Sequence, residues 1–133
     1  MRKIYTIILL LFLLSACGEY SPSKHDVVNS HGEIENLGLL EKFIEDVSLK
    51  KDSEIRVVNY TEEGDPIIHD LNYSNDKLTT KIDTREDEYG EQLVMEDVCE
   101  SIKKIGKNNQ AIYQLEGCKG EEEVKYVLVI DND

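Results

Sequence analysis

The sequence predicts an α+β fold in which one N-terminal amphipathic helix packs on an antiparallel sheet of five or six strands, braced by one disulfide. Three observations support this fold class. One segment places its apolar residues at helical spacing, several shorter segments alternate apolar and polar residues between turn signals, and two cysteines flank a segment with the symmetry of a hairpin. Removal of residues 1–16 would leave 117 of the 133 residues, enough for one domain with a modest core, so we expect a single domain.

The predicted helix begins after Asn36, a residue type that favours the N-cap position. Its far end carries Lys50 and Lys51, where the helix dipole favours cations. The apolar residues of this segment share one helical face: Leu37, Leu40, Phe43, Ile44 and Val47. An amphipathic helix must bury this face, and the strands that follow are expected to cover it.

Three strands are predicted directly after the helix. "EIRVVNYT" and "PIIHDLNY" flank "EEGD" as a hairpin, and Pro66 stands at the start of its second strand, where a missing N–H costs least. "KLTTKID" follows the turn residues Asn75 and Asp76, which makes a three-strand antiparallel meander. Residues 84–92 are acidic and read as a long loop, and the apolar "EVKYVLVI" near the end predicts a strand in the centre of the sheet.

Cys99 and Cys118 flank the predicted disulfide hairpin. The midpoint of "CESIKKIGKNNQAIYQLEGC" falls between two asparagines, which tolerate the positive φ of a tight turn. A turn there places Cys99 opposite Cys118, with two apolar pairs between them: Ile102 opposite Leu115, and Ile105 opposite Ile112. Helical spacing of apolar residues in 93–104 leaves a helix as the alternative for this segment, although we favour a strand over 98–105. A redox role is disfavoured because the spacing is not C-x-x-C.

The N-terminus has the parts of an export signal. Arg2 and Lys3 precede an apolar run over residues 4–14, which is followed by "SAC". As a helix, that run would rise only about 16 Å, roughly half of a hydrocarbon core, so it is predicted to be cleaved and not to span. "LSAC" resembles the lipobox of bacterial lipoproteins, which implies cleavage before Cys17 and a diacylglycerol on its thiol.

These features predict three segments: a signal peptide over 1–16, a lipidated N-terminus and flexible tether over 17–30, and a single α+β domain over 31–133. The expected location is the outer face of the cytoplasmic membrane, where the two acyl chains hold the protein. The formal net charge of −13 excludes nucleic acid as a partner, because phosphate contacts require Lys and Arg.

The titratable residues do not form a catalytic motif in the sequence, so no enzymatic activity and no cofactor are predicted. The histidines His25, His31 and His69 lack the spacing of a zinc site, and each reads as a surface or turn residue. The acidic loop fails the EF-hand pattern because glutamate stands where glycine is required. Its carboxylates are kept as a hypothesis for weak Ca²⁺ binding: Asp83, Glu86, Asp87 and Glu88.

Several phrases of the mature chain resemble the small lipoproteins of Bacillus-type bacteria that share a domain of unknown function, above all "YTEEGDPIIHDL" and "CESIKK…YQLEGC". The resemblance implies a lipid-anchored extracytoplasmic domain with its two cysteines paired and no assigned activity. We therefore expect a non-catalytic interaction module that contacts another envelope protein. The alternative is a binder of a small ligand or divalent cation in the wall zone, using the acidic loop and five tyrosines: Tyr60, Tyr73, Tyr89, Tyr113 and Tyr126.

Overall fold

The computed structural model describes residues 19–132; the predicted signal peptide and Cys17 lie outside these residues. The described part contains one helix and nine strands. They are β1 (Val27–Ser30), β2 (Glu33–Glu35), α1 (Leu37–Ser48), β3 (Ser53–Tyr60), β4 (Pro66–Ser74), β5 (Lys77–Asp83), β6 (Val94–Cys99), β7 (Ser101–Lys107), β8 (Gln110–Glu116) and β9 (Val124–Asp131). Within residues 19–132, the helix is too short and too polar to cross a membrane.

The strands form two sheets, so the predicted α+β fold with a single antiparallel sheet is wrong. Six strands pair in the order β2-β1-β3-β4-β5-β6, and three pair in the order β7-β8-β9. The first sheet is mixed because β1 runs parallel to β3. The protein is mostly β, and its 12-residue helix follows two strands instead of opening the domain. Alternating apolar residues indicate that a segment is a strand, but they do not specify its neighbours, and for this reason the sequence did not reveal the second sheet.

The helix α1 occupies the predicted segment, with Leu40 and Phe43 fully buried on its apolar face. Asn36 precedes it as expected, but its side chain does not cap the helix. Asn36 has a left-handed φ of 60°, and its amide donates hydrogen bonds to the carbonyls of Lys24 and Asp26. The asparagine therefore fastens the segment before β1 to the start of the helix.

The start of the domain also differs from the sequence prediction. Residues 27–30, expected in the flexible tether, form β1, which pairs with β3 from Val27 opposite Val57 to Asn29 opposite Asn59. Val27 is fully buried in the core. The tether was inferred from Gly, Ser, Pro and charge across residues 18–30, but two adjacent valines gain enough from burial to join the sheet.

The predicted meander is confirmed: β3, β4 and β5 pair antiparallel in sequence. Residues 84–92 form a loop, as expected. The choice of strand over helix is also correct, although Glu100 divides the segment into β6 and β7. In the β7–β8 hairpin, the predicted apolar pairs are present, Ile102 opposite Leu115 and Ile105 opposite Ile112. The turn residues Asn108 and Asn109 have φ of 51° and 62°.

The last strand lies at an edge, where a central position was predicted. β8 is the middle strand of the second sheet, and β9 pairs with it on one side only. The register between β8 and β9 shifts by one residue, so Val127 is an extra residue in β9. The amide of Asn59 in β3 donates a hydrogen bond of 3.0 Å to the carbonyl of Val127. The bulge thereby connects β9 to the first sheet, which explains why so apolar a strand stands at an edge.

The predicted disulfide is present at the base of the β7–β8 hairpin, and it also joins the two sheets. Cys99 ends β6 and lies opposite Leu78 of the first sheet, while Cys118 follows β8 of the second. The bond lies in the hydrophobic core shared by α1 and both sheets. The largest fully buried side chains there are Tyr113, Phe43, Leu40, Leu71, Leu78, Leu115 and Leu128.

Candidate functional site

A row of side chains crosses four strands of the first sheet on its core face and becomes progressively exposed. In register, Val57 of β3 is followed by His69 of β4, Ile82 of β5 and Met95 of β6. Val57 is fully buried and His69 is 3% exposed, whereas Met95 is 46% exposed. The second sheet does not reach the outer end of this row, so the apolar core opens to solvent there.

The opening forms a groove of about 580 Å³ between the sheets, which we call the intersheet groove. One wall is provided by β5 and β6, the other by residues 120–122 and the start of β9. Its lining residues are Ile82, Met95, Glu96, Asp97, Gly120, Glu121, Glu122, Lys125 and Tyr126. Tyr126 is 64% exposed. The groove therefore contains two large exposed side chains, Met95 and Tyr126, and acidic residues lie at its border.

Asp97 connects the two walls of the groove. One of its carboxylate oxygens lies 3.6 Å from Nζ of Lys125 on β9, and both side chains are largely buried. The carboxylate also accepts hydrogen bonds from the backbone N–H groups of Val98, Lys119 and Gly120. Burial acts to raise the pKa of Asp97, but these N–H groups and the Lys125 charge outweigh it, and the pKa is lowered.

His69 is a buried neutral side chain next to Ile82, which lines this groove. One ring nitrogen lies 2.5 Å from Oγ1 of Thr80 on β5. Burial lowers the pKa of His69 to about 4; Asp70 opposes this effect and Lys125 adds to it. His69 and Asp70 face opposite sides of β4 because neighbouring strand residues alternate. The Asp70 carboxylate is bound by Arg56, at 2.6 Å from Nε and 2.9 Å from Nη2.

The acidic loop does not bring its four candidate ligands together. Asp83 is held by Arg85, whose side-chain hydrogen bonds lower the pKa of Asp83 to about 2. Asp87 accepts the backbone N–H groups of Tyr89 and Gly90 within its own turn. Glu86 and Glu88 are exposed. Across residues 19–132, no group of three or more His, Cys, Asp or Glu side chains is arranged to hold a metal ion.

The five tyrosines are dispersed as well. Tyr113 is fully buried and donates a hydrogen bond to Glu41, and Tyr73 is 7% exposed. Tyr89 is 75% exposed on the acidic loop. Of the five, Tyr126 is the one that lines the intersheet groove. The tyrosine set therefore does not form one binding surface.

The segment before β1 is fastened to the first sheet by a polar network that the sequence did not suggest. The Tyr20 hydroxyl donates to Asp26 at 3.0 Å and lies 3.3 Å from Nη1 of Arg56. Asp26, itself buried, also accepts the backbone N–H of Ser23. The ordered domain therefore extends back to about Tyr20, close to the predicted lipidation site.

The groove residues were also missed at the sequence level. Met95 and Glu96 precede the strand predicted over 98–105 and lie in the stretch for which a helix was the alternative, and residues 120–122 carry no motif that indicates a site. Two distant segments form the groove, and the sequence carries no signal that pairs them. Only the unusual combination of an exposed-looking methionine and alternating acids in "LVMEDV" could have drawn attention to β6.

Comparison with known proteins identifies a family. The comparisons with curated proteins and with solved structures found no significant match. The model of a family described as "Domain of unknown function (DUF4362)" matches residues 24–114, which is more than half of the chain. The match includes β6 and stops before residues 120–126, so it covers one wall of the intersheet groove. The chain belongs to the DUF4362 family of domains of unknown function.

Proposed function

We propose that this protein is a lipid-anchored, non-catalytic interaction module displayed on the outer face of the cytoplasmic membrane. The anchor is supported by the export signal and by "LSAC", which would place a diacylglycerol on Cys17. A disulfide in a small domain is typical of proteins that leave the reducing cytosol. The resemblance to small lipoproteins of Bacillus-type bacteria supports the same location.

The observation that carries the interaction role is the intersheet groove. It is open and shallow and combines exposed Met95 and Tyr126 with carboxylates at its border. Exposed apolar side chains bordered by polar ones are typical of surfaces that bind another protein. The acidic loop, by contrast, uses Asp83 and Asp87 in local hydrogen bonds, so it offers less support for the cation-binding alternative.

The polar network at the N-terminus determines how the domain would be displayed. Tyr20 is bound to Asp26 and Arg56, so only two residues, Gly18 and Glu19, separate Cys17 from the fastened part of the domain. The three steps from Cys17 to Tyr20 span at most about 11 Å when the chain is fully extended. A lipid on Cys17 would therefore hold the domain close to the bilayer, within reach of the extracytoplasmic parts of membrane proteins.

The anchor is tested by labelling cells with a radioactive fatty acid. Wild-type protein should carry the label and remain with the membrane fraction, and Cys17→Ser should carry none and appear in the medium. Label on the Cys17→Ser protein, or membrane retention without label, would contradict the anchor.

The interaction role is tested separately in the same cells. A photoreactive amino acid at Tyr126 should give one recurrent protein adduct, and the same group at Leu49, which is 54% exposed at the end of α1, should not. Leu49 controls for non-specific capture by an exposed apolar position. Equal adduct patterns from both positions, or no protein adduct from Tyr126, would contradict an interaction module that uses the groove.

A further inference from the structure

We infer that the intersheet groove binds an extended, basic segment of a partner protein, which adds as a strand to the open half of β6. This inference deepens the proposed interaction role, on which it rests, but it does not depend on the lipid anchor. It follows from the hydrogen-bonding edge of β6, the apolar side chains beside that edge, and the unpaired charges around it.

The backbone edge of β6 is only half covered. The hydrogen bond from Thr84 N–H to the Leu93 carbonyl sets the alternation between β5 and β6. In an antiparallel pair, every second residue directs its N–H and C=O away from the partner strand. By this alternation the outward-facing residues of β6 are Val94, Glu96 and Val98.

The C-terminal half of the β6 edge is already covered by a hydrogen bond from another segment. The Val98 carbonyl receives a hydrogen bond of 3.0 Å from the Lys119 N–H, and the Val98 N–H donates to the side chain of Asp97. Lys119 therefore covers the backbone edge of β6 at this end. No hydrogen bond within residues 19–132 uses the outward groups of Val94 or Glu96. An uncovered strand edge of this kind is a template for strand addition.

The groove lies beside this open half and provides side-chain contacts. An added strand would lie about 4.8 Å from β6, and every second side chain would point to the core face of the sheet. Met95 and Ile82 lie on that face, and Tyr126 faces them from β9. Strand addition of this type takes affinity from backbone hydrogen bonds and specificity from such contacts.

The negative charges beside the groove favour a basic partner segment. Glu121 and Glu122 border the groove, whereas the side chain of Glu96 points to the opposite face of β6 because it alternates with Met95. Neither Glu121 nor Glu122 makes an ion pair within the described residues. The one cation among the lining residues, Lys125, is paired with Asp97. A second copy of this chain, with its net charge of −13, would be repelled at this edge, whereas Lys and Arg side chains would be attracted.

The test uses the full-length protein in detergent and a fluorescent heptapeptide that alternates lysine and valine, with binding measured by fluorescence anisotropy. The peptide should bind the wild type, and a peptide alternating glutamate and valine should not. Glu121→Lys/Glu122→Lys should weaken binding of the lysine peptide at least about tenfold. Glu33→Lys/Glu35→Lys makes the same charge change on exposed β2, at the opposite edge of the sheet, and should leave binding nearly unchanged.

A backbone variant separates strand addition from simple charge attraction. The Glu96 N–H faces outward, so Glu96→Pro removes a docking donor and leaves the β5–β6 hydrogen bonds in place. It should weaken peptide binding about fivefold relative to Glu96→Ala, which removes the same charge and keeps the donor. Thermal unfolding of both variants verifies that each is folded.

Three results would overturn the inference: no binding of the lysine peptide, equal loss of binding in the β2 and groove variants, or equal affinity of Glu96→Pro and Glu96→Ala. Each concerns the purified protein and leaves the fatty-acid labelling of Cys17 unaffected. A failure of this inference is therefore distinguishable from a failure of the lipid anchor.

Discussion

Asp97 on β6 and Lys125 on β9 form an ion pair between the two sheets, with 3.6 Å between the carboxylate and Nζ. The same carboxylate accepts three backbone N–H groups, two of them from the loop that follows Cys118. Asp97 and the disulfide therefore fix the second sheet against the first at neighbouring points. This connection forms the base of the intersheet groove and supports the position of its second wall.

Removal of the Asp97 carboxylate is predicted to destabilise the protein more than removal of its cation. Asp97→Ala leaves the N–H groups of Val98 and Gly120 without their acceptor, while the Lys119 N–H keeps its bond to the Val98 carbonyl. We expect the free energy of unfolding to fall by about 2 kcal/mol. Lys125→Met removes the ion pair but leaves the carboxylate with its three backbone N–H donors, so it should cost about 1 kcal/mol. Urea unfolding measures both. Lys50→Met, at an exposed pair, is the matched control and should have no measurable effect.

The prediction for Asp97 is contradicted if Asp97→Ala unfolds at the same urea concentration as Lys50→Met. Crystal or NMR structures of the Asp97→Ala variant should also show residues 118–120 displaced from the edge of β6. That displacement would lengthen the open edge.

His69 is predicted to make the fold sensitive to mild acid. The unfolded chain protonates His69 near its ordinary pKa of 6.5, whereas the buried side chain stays neutral down to about 4. The unfolded state therefore binds more protons in this window, and the free energy of unfolding falls as the pH falls from 6.5 to 4. The loss from this residue approaches about 3 kcal/mol at the acid end.

Chemical unfolding at pH 7, 6, 5 and 4 measures this dependence. His69→Gln removes the titrating group and should have a flatter pH profile than the wild type, after both are normalised at pH 7. His25→Gln, at an exposed histidine, should retain the wild-type profile. Identical profiles for the wild type and His69→Gln would show that another group causes the dependence.

Loss of the disulfide is predicted to lower stability by about 3 kcal/mol on the chain-entropy model, because the bond closes a loop with a sequence separation of 19. The Cys99→Ala/Cys118→Ala variant should unfold at lower urea concentration than the oxidised protein and be insensitive to dithiothreitol. Amide exchange should increase most in β9, because the bond helps hold the second sheet. A variant as stable as the oxidised protein would contradict this role.

Val27 tests whether the domain begins at β1 or after it. Val27→Ala removes a fully buried side chain and should lower the free energy of unfolding by about 2 kcal/mol, combining lost burial and the cavity left behind. Val129→Ala makes the same change at a position that is 39% exposed and should cost well under half as much. Equal, small effects at both positions would indicate that residues 27–30 belong to the tether and not to the folded domain.

Local structure followed closely from the sequence. The apolar face of α1, Pro66 at the start of β4, and the turns at Asn75–Asp76 and Asn108–Asn109 all occur as predicted. Each depends on residues near one another in the chain, whose conformational preferences and spacing act before any distant contact forms. The apolar pairs of the β7–β8 hairpin were predictable for the same reason, since a tight turn determines the register.

The arrangement of these elements in three dimensions could not be predicted from the sequence. Glu100 separates two strands that alternation alone reads as one, and Val127 is a bulge whose carbonyl is satisfied by Asn59 from the other sheet. Val27 joins β3 in a parallel pair that no turn specifies. Such contacts form when surfaces that are distant in sequence pack against each other. The local sequence around a residue does not show which distant surface will pack on it.

The sequence by itself determined the helix, the strands β3, β4, β5, β7, β8 and β9, the hairpin turns and the two cysteines that pair, because each is fixed by short-range preferences and by periodicity. Only the tertiary structure decided that the strands divide into two sheets, that the disulfide and Asp97 join those sheets, and that the core opens at Met95 and Tyr126. The groove forms because two segments that are distant in sequence come close without making contact along their whole length. The gap between them is set by the packing of the two sheets, which local sequence does not specify.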